Sequence, residues 1–291
     1  MIPFPNFSPE IISFSIGGFE VALRWYAVSY IAGFICAAYL MKIVTKRKHI
    51  WRYRTPPMDS NQIDSLITYL IFGVILGGRI GYALFYNFEY YASNPLDVLK
   101  VWEGGMSFHG GFMGVLLTVI LFYKFHGIPI ASGADLIAYA TPPGLFFGRI
   151  ANFINGELWG LPTNSIFGVA FPGERAQDCP LVYGVCARHP SQLYEAGLEG
   201  LLLFIVLTFL IRLGALKYPG LVVGTFLVGY SMSRYFVEFF RDADPQFVSV
   251  GNPFGFVYQV GDLGIKMGQL LSLPMLLLGI VFIFISYRSK V

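Results

Sequence analysis

The sequence predicts an all-α, polytopic integral membrane protein of about seven transmembrane helices, with the N-terminus outside and the C-terminus inside. Three observations lead there. The 291 residues are 55% hydrophobic and 13% charged, and the mean hydropathy is +0.62, whereas soluble domains carry about 25% charged residues. Seven stretches, about 20–41, 63–86, 107–125, 133–153, 197–213, 220–240 and 267–287, meet or approach the roughly 20 apolar residues that cross a bilayer. Lysine and arginine are distributed asymmetrically between the connections.

The first stretch is preceded by MIPFPNFSPE, which has neither a basic segment nor a small-residue cleavage site and so does not read as a removable signal peptide. Segment 11–23 is short and apolar, broken by Gly17 and Gly18, and is expected to lie along the membrane surface. The loop after the first stretch holds Lys46, Arg47, Lys48, Arg52 and Arg54, with Lys42 at its edge, which places it in the cytoplasm. Alternation then puts Lys124, Arg212, Lys217, Arg288 and Lys290 on the same side. Lys100, Arg175, Arg188, Arg241 and Lys266 fall on the other, so the bias is eleven against five. The net charge of +3 follows from this topology, and no basic patch suggests nucleic acid.

The chain reads as a single membrane domain over 1–291. An outward-facing cap is built mainly from the two long connections 154–196 and 242–266, the first of which includes Pro162, Pro172, Gly173, Pro180 and Pro190. Cys179 and Cys186 lie in that cap and close a short segment. A disulfide worth about 2.5 kcal/mol and two free thiols are both open readings. Cys36 reads as packing. Gly73, Gly77 and Gly81 share one helix face, as do Gly110 and Gly114, and this spacing lets helices approach closely.

Arg79, Arg149 and Arg234 stand inside apolar stretches, each in the outer half of its helix. An arginine in hydrocarbon costs about 2.5–3.5 kcal/mol even on the lenient insertion scale. It stays protonated, so a partner, water or a bound anion must offset that cost, and its fork matches phosphate or carboxylate. Arg149, Asn152 and Asn155 follow at i, i+3 and i+6, with Gly156, Glu157 and Gly160 beyond. Tyr230, Arg234, Glu238 and Arg241 form a second polar face. Arg234 and Glu238 fit an internal i, i+4 ion pair. Two polar faces at one depth, with more arginines than partners, favour an anion site. The shared triplet Gly78-Arg79-Ile80 and Gly148-Arg149-Ile150 is too short to be a repeat.

His109, between Gly104-Gly105 and Gly110-Gly111, is suited to proton transfer near neutral pH, though a structural role stays open. His189 reads as cap structure or headgroup contact. Tyr26 beside Trp25, and Tyr194 with Glu195, read as interfacial anchors. Scattered histidines without ligand spacing imply no metal. The dinucleotide and phosphate-loop fingerprints are missing, so no cofactor is expected.

The run Gly148-Arg149-Ile150-Ala151-Asn152-Phe153-Ile154-Asn155-Gly156-Glu157-Leu158-Trp159-Gly160 resembles the signature of the bacterial prolipoprotein diacylglyceryl transferases. Segments 104–111, 188–195 and 230–241, Trp25-Tyr26 and 77–82 resemble that family in order, so the resemblance covers almost the whole chain. Ala151 stands where the family commonly has glycine. The resemblance implies transfer of the diacylglyceryl group from phosphatidylglycerol to the lipobox cysteine thiol of a prolipoprotein signal peptide, with release of glycerol phosphate. It implies that the reaction takes place at the outer face of the bacterial cytoplasmic (inner) membrane. It also implies catalytic roles for Arg149, Arg234 and His109, and a phospholipid pocket of Arg149, Tyr26, Asn152, Glu157, Gly160, Tyr230, Glu238 and Arg241. Asn155 joins that pocket through its place on the Arg149 face. Two other functions fit buried arginines: an anion transporter or channel, and a different phospholipid-using transferase.

Overall fold

A computed structural model of the chain describes residues 1–16, 19–179, 182, 184–243, 245–261 and 263–288. Gly17, Gly18, Pro180 and Lys290 lie outside the described residues. The protein is mostly helical. Its long helices are α1 (Trp25–Lys46), α2 (Ser60–Phe85), α3 (Phe108–His126), α4 (Ile130–Ile154), α5 (Ser191–Arg212), α6 (Leu221–Val237) and α7 (Met267–Arg288). Five of them, α1, α2, α3, α5 and α7, are long and apolar enough to cross a membrane, and α6 is apolar but has 17 residues.

Two paired strands immediately precede the first helix: β2 (Glu10–Ile16) pairs antiparallel with β3 (Phe19–Arg24), Ser13 opposite Ala22. The residues alternate, as in Phe19-Glu20-Val21-Ala22-Leu23-Arg24, a period of two that suits a strand. The first helix consequently begins at Trp25. A short parallel pair joins β1 (Ile2–Pro3) to β4 (Val169–Ala170), and β5 (Tyr258–Val260) pairs with β6 (Leu263–Ile265).

The chain divides into two compact units, 41–134 and a second made of 1–40 with 135–291. In the 41–134 unit, Asp59 caps α2: its carboxylate accepts from the Gln62 amide at 2.8 Å, and the Gln62 side chain accepts in return from the Asp59 amide. Here α2 and α3 pack through their glycines. A Cβ on Gly77 would fall 2.4 Å from the Gly110 carbonyl oxygen, and one on Gly114 would fall 2.1 Å from that of Gly73, so packing accounts for both glycine rows. Arg79 is buried. Its Nε donates to the Val98 carbonyl at 2.9 Å, Nη2 to Asp97 at 2.8 Å and Lys100 at 2.9 Å, and Nη1 to Gly104 and Gly105. Its charge therefore holds the 97–105 segment.

In the other unit, buried Asp135 on α4 receives the Gly220 amide at 2.7 Å and the Val223 amide at 2.8 Å. It caps the start of α6 from another helix and satisfies donors that have no partner within α6. Connection 154–196 carries its own small core of Val169, Phe171 and Ala176, against which Phe4, Phe153 and Trp159 pack. Cys179 and Cys186 are bridged, with Cα atoms 6.2 Å apart. Arg188 is almost fully buried. It donates to the carbonyls of Ala176 at 2.6 Å and Asp178 at 3.0 Å and pairs with Asp242 at 2.9 Å, tying the two long connections together.

Candidate functional site

The site lies in the unit formed by 1–40 and 135–291. It is built where α4, α5 and α6 bring arginines and glutamates together. From α4, Arg149 Nη1 lies 3.2 Å from Glu195 Oε2, and Nη2 lies 3.5 Å from Glu199 Oε2. From α6, Arg234 Nη1 lies 2.9 Å from Glu195 Oε1, and Nη2 lies 2.8 Å from Glu238 Oε2. Arg241 Nη1 reaches the same Glu238 oxygen at 3.9 Å. Glu195 and Glu199 are fully buried, whereas the side chains of Arg149 and Arg234 keep 21% and 13% of their surface exposed. The cations are the members of the cluster that can be reached.

This arrangement corrects the idea of more arginines than partners. Each of the three arginines has a carboxylate, and the extra two come from α5, where Glu195 had read as an interfacial anchor. The Arg234–Glu238 ion pair exists, but as one edge of the network. Arg241 is not on the helix face: α6 ends at Val237 and the chain turns, placing Arg241 in an isolated bridge with Gly160. Helix α5 changes geometry at the site. Residues Ala196–Leu202 form a π-helical segment between α-helical Ser191–Glu195 and Leu203–Arg212, so Glu195 and Glu199 flank or occupy the widened turn. Such segments are rare and concentrate at functional sites.

The end of α4 makes a second polar group. The helix stops at Ile154, and Gly156, at φ 64°, reverses the chain, a conformation that glycine adopts without a Cβ clash. Glu157 therefore folds back over the last turn. Its carboxylate receives Asn152 Nδ2 at 2.9 Å and the Tyr26 hydroxyl, and Asn152 also contacts that hydroxyl. Gln192 Nε2 donates to the Glu157 carbonyl, and Ser191 Oγ donates to the Leu158 carbonyl at 2.9 Å. Tyr26 is thus held inward by Glu157. Asn155, expected to share the Arg149 face, lies at the helix end with a buried Oδ1 that has no hydrogen-bond partner among the described residues. Tyr230 stacks on Phe226 with ring centroids 6.0 Å apart, and its phenol lies within electrostatic reach of Arg149, Arg234 and Glu199.

Gly160 is a point of close approach. Its amide donates to the His189 carbonyl at 2.8 Å, and a Cβ there would fall 2.3 Å from the Phe240 carbonyl oxygen. His189 Nδ1 lies 3.0 Å from the Tyr194 hydroxyl, its ring packs on Phe240, and burial pushes its imidazole below the ordinary value. His109 belongs to the 41–134 unit. It sits exposed in the first turn of α3, its ring edge-on to Phe108 at 5.7 Å.

Two residues at the cluster have no obvious signal in the sequence. Glu199 is a lone acid in Leu198-Glu199-Gly200. Gly268, in the first turn of α7, leaves room for the Arg234–Glu238 pair: a Cβ there would meet Glu238 Oε2 at 2.4 Å and Arg234 Nη2 at 2.8 Å. The one mark of Glu199 in the sequence is a single acid within an apolar stretch.

Residues 11–285 match the model of the family described as prolipoprotein diacylglyceryl transferase. A protein of Cereibacter sphaeroides named phosphatidylglycerol–prolipoprotein diacylglyceryl transferase is 55% identical over 289 residues, covering 99% of each chain. One of that name from Ruegeria pomeroyi is 55% identical over 97% of this chain and 96% of its own. Another from Nitrobacter hamburgensis is 43% identical over 99% of this chain and 91% of its own. The chain belongs to the prolipoprotein diacylglyceryl transferase family.

Proposed function

We propose that this protein transfers the diacylglyceryl group of phosphatidylglycerol to the thiol of a prolipoprotein's lipobox cysteine, forming a thioether and releasing glycerol phosphate. Full-length similarity to the named relatives supports the activity. The observation that carries the site is the cluster of three arginines around Glu195, Glu199 and Glu238, with only the cations reachable.

The chemistry makes two demands. Sulfur attacks the glyceryl carbon while the carbon–oxygen bond to phosphate breaks, so the leaving phosphate gains negative charge. The thiol, with an ordinary pKa about 8.5, must also lose its proton to become a good nucleophile. Arg149 clamps the phosphate and Arg234 assists its departure, since preorganised cations in a dry site stabilise developing charge. Tyr26, Asn152, Asn155, Glu157, Gly160, Tyr230, Glu238 and Arg241 shape the pocket around the headgroup. His109 is the candidate base.

In this reading the chain crosses the bacterial inner membrane seven times, α4 and α6 joining the five helices that are long and apolar enough to span. The N-terminus is outside, the C-terminus is inside, and the site faces outward beneath a cap of 154–196 and 242–266. The basic residues of the 42–54 loop support that orientation. The signal peptide, phosphatidylglycerol and the surrounding bilayer are its partners.

Purified protein given phosphatidylglycerol and a lipobox peptide is expected to release glycerol phosphate and lipidate the peptide. A folded sample that releases none above background overturns the transferase reading. An anion transporter gives that second result, and a transferase for another acceptor leaves the peptide unmodified.

A further inference from the structure

The cluster is electrically balanced as it stands. Arg149, Arg234 and Arg241 face Glu195, Glu199 and Glu238. Nearby, Lys266 donates to the Glu238 and Arg241 carbonyls, and Glu157 sits with Tyr26 and Asn152, adding one charge of each sign. A phosphodiester brought to Arg149 adds one further negative charge to a largely buried site, where an uncompensated charge is strongly penalised.

The carboxylates are not held equally. Glu195 takes Arg234 at 2.9 Å on one oxygen and Arg149 at 3.2 Å on the other, and Glu238 takes Arg234 at 2.8 Å. Among the described residues Glu199 pairs directly with Arg149, at 3.5 Å, and neither of its oxygens accepts a hydrogen bond. It is fully buried. The charged and titratable groups around it are Arg149 from α4, Glu195 from its own helix, and Arg234 and Tyr230 from α6. An anion arriving at Arg149 competes for the cation that pairs directly with Glu199 among the described residues.

We propose that binding of an anionic phospholipid headgroup at Arg149 is coupled to uptake of one proton by Glu199. The proton comes from solvent. It converts Glu199 to the neutral acid and restores the charge balance, and it releases Arg149 Nη2 to donate to a phosphate oxygen while Nη1 stays on Glu195. Glu199 acts through Arg149 and is therefore a positioning residue. Because a proton enters with the lipid, affinity is highest at low pH. It weakens by up to about tenfold per pH unit as pH rises through the range where the bound form alone is protonated.

This inference rests on the phosphate reading of Arg149, and the test separates the two. Full-length protein in a nanodisc of zwitterionic lipid is titrated calorimetrically with short-chain phosphatidylglycerol, at each of several pH values in two buffers of different ionisation heat. Wild type is expected to show proton uptake whose maximum approaches one. Glu199→Gln, a neutral isostere, is expected to bind without proton exchange and with a flat pH dependence, and Glu199→Asp to restore uptake. Wild-type binding without proton exchange at any pH overturns the coupling alone, as does unchanged uptake in Glu199→Gln. A folded wild type that does not bind phosphatidylglycerol overturns the phosphate reading and this inference with it. Should Glu199→Gln fail to fold, the wild-type scan and Glu199→Asp still decide.

Discussion

Arg234 on α6 reaches Glu195 on α5 across 2.9 Å, and Glu195 turns its other oxygen to Arg149 on α4. One buried carboxylate therefore fixes the distance between the two arginines proposed to meet the phosphate. Glu195→Gln is expected to lower turnover at least tenfold with a smaller change in melting temperature than Glu195→Ala, because the amide keeps one acceptor but loses the charge. Glycerol phosphate release and thermal melting check it together.

Gly268 tests the other edge of the network. Gly268→Ala places a methyl group against Arg234 and Glu238 and is expected to separate that pair. Activity should fall about tenfold or more, since small displacements of positioned groups are costly. Gly251, whose Cβ would meet nothing within 4 Å, serves as the control: Gly251→Ala should leave the rate unchanged.

Arg79 and Arg149 share the triplet Gly-Arg-Ile and differ in use. Arg79→Lys loses most of the carbonyl contacts that hold 97–105, so melting temperature is expected to drop. A lysine has three donors and no planar fork. If Arg79→Lys leaves stability untouched, the clamp is misassigned.

Asp135 caps α6 from α4. Asp135→Ala is expected to cost about 1–3 kcal/mol of stability while the rate per folded molecule stays near wild type. Equal losses of stability and turnover would tie Asp135 to the chemistry instead.

His189 gives a pH prediction. Burial holds its imidazole below the ordinary value, so the unfolded chain binds the proton first as pH falls. Its contribution to stability is present above the unfolded value of about 6.5 and is lost on acidification below it. Melting temperature should therefore decline less steeply below pH 6.5 in His189→Gln than in wild type.

Much of this architecture is legible in the sequence because bilayer crossing is a local property. Apolar length alone marks the long helices, and the glycine rows of α2 and α3 sit at a spacing that predicts contact. The thirteen-residue run at 148–160 marks the end of α4. The strand pair before α1 is less legible, because the apolar content of 10–24 masks its alternation. Glu199 was hidden for a different reason: its meaning comes from Arg149 and Arg234, which reach it from helices distant in sequence. Arg79 could not be told from Arg149 by neighbours, since its five donors find backbone carbonyls, which no residue type announces.

In the proposed mechanism Arg149 holds phosphate with its fork. The most direct test of that role is glycerol phosphate release from phosphatidylglycerol and a lipobox peptide by wild type and Arg149→Lys, both shown to be folded. The rate of the lysine variant is expected to fall roughly 100-fold or more. A lysine variant that turns over at the wild-type rate contradicts the account.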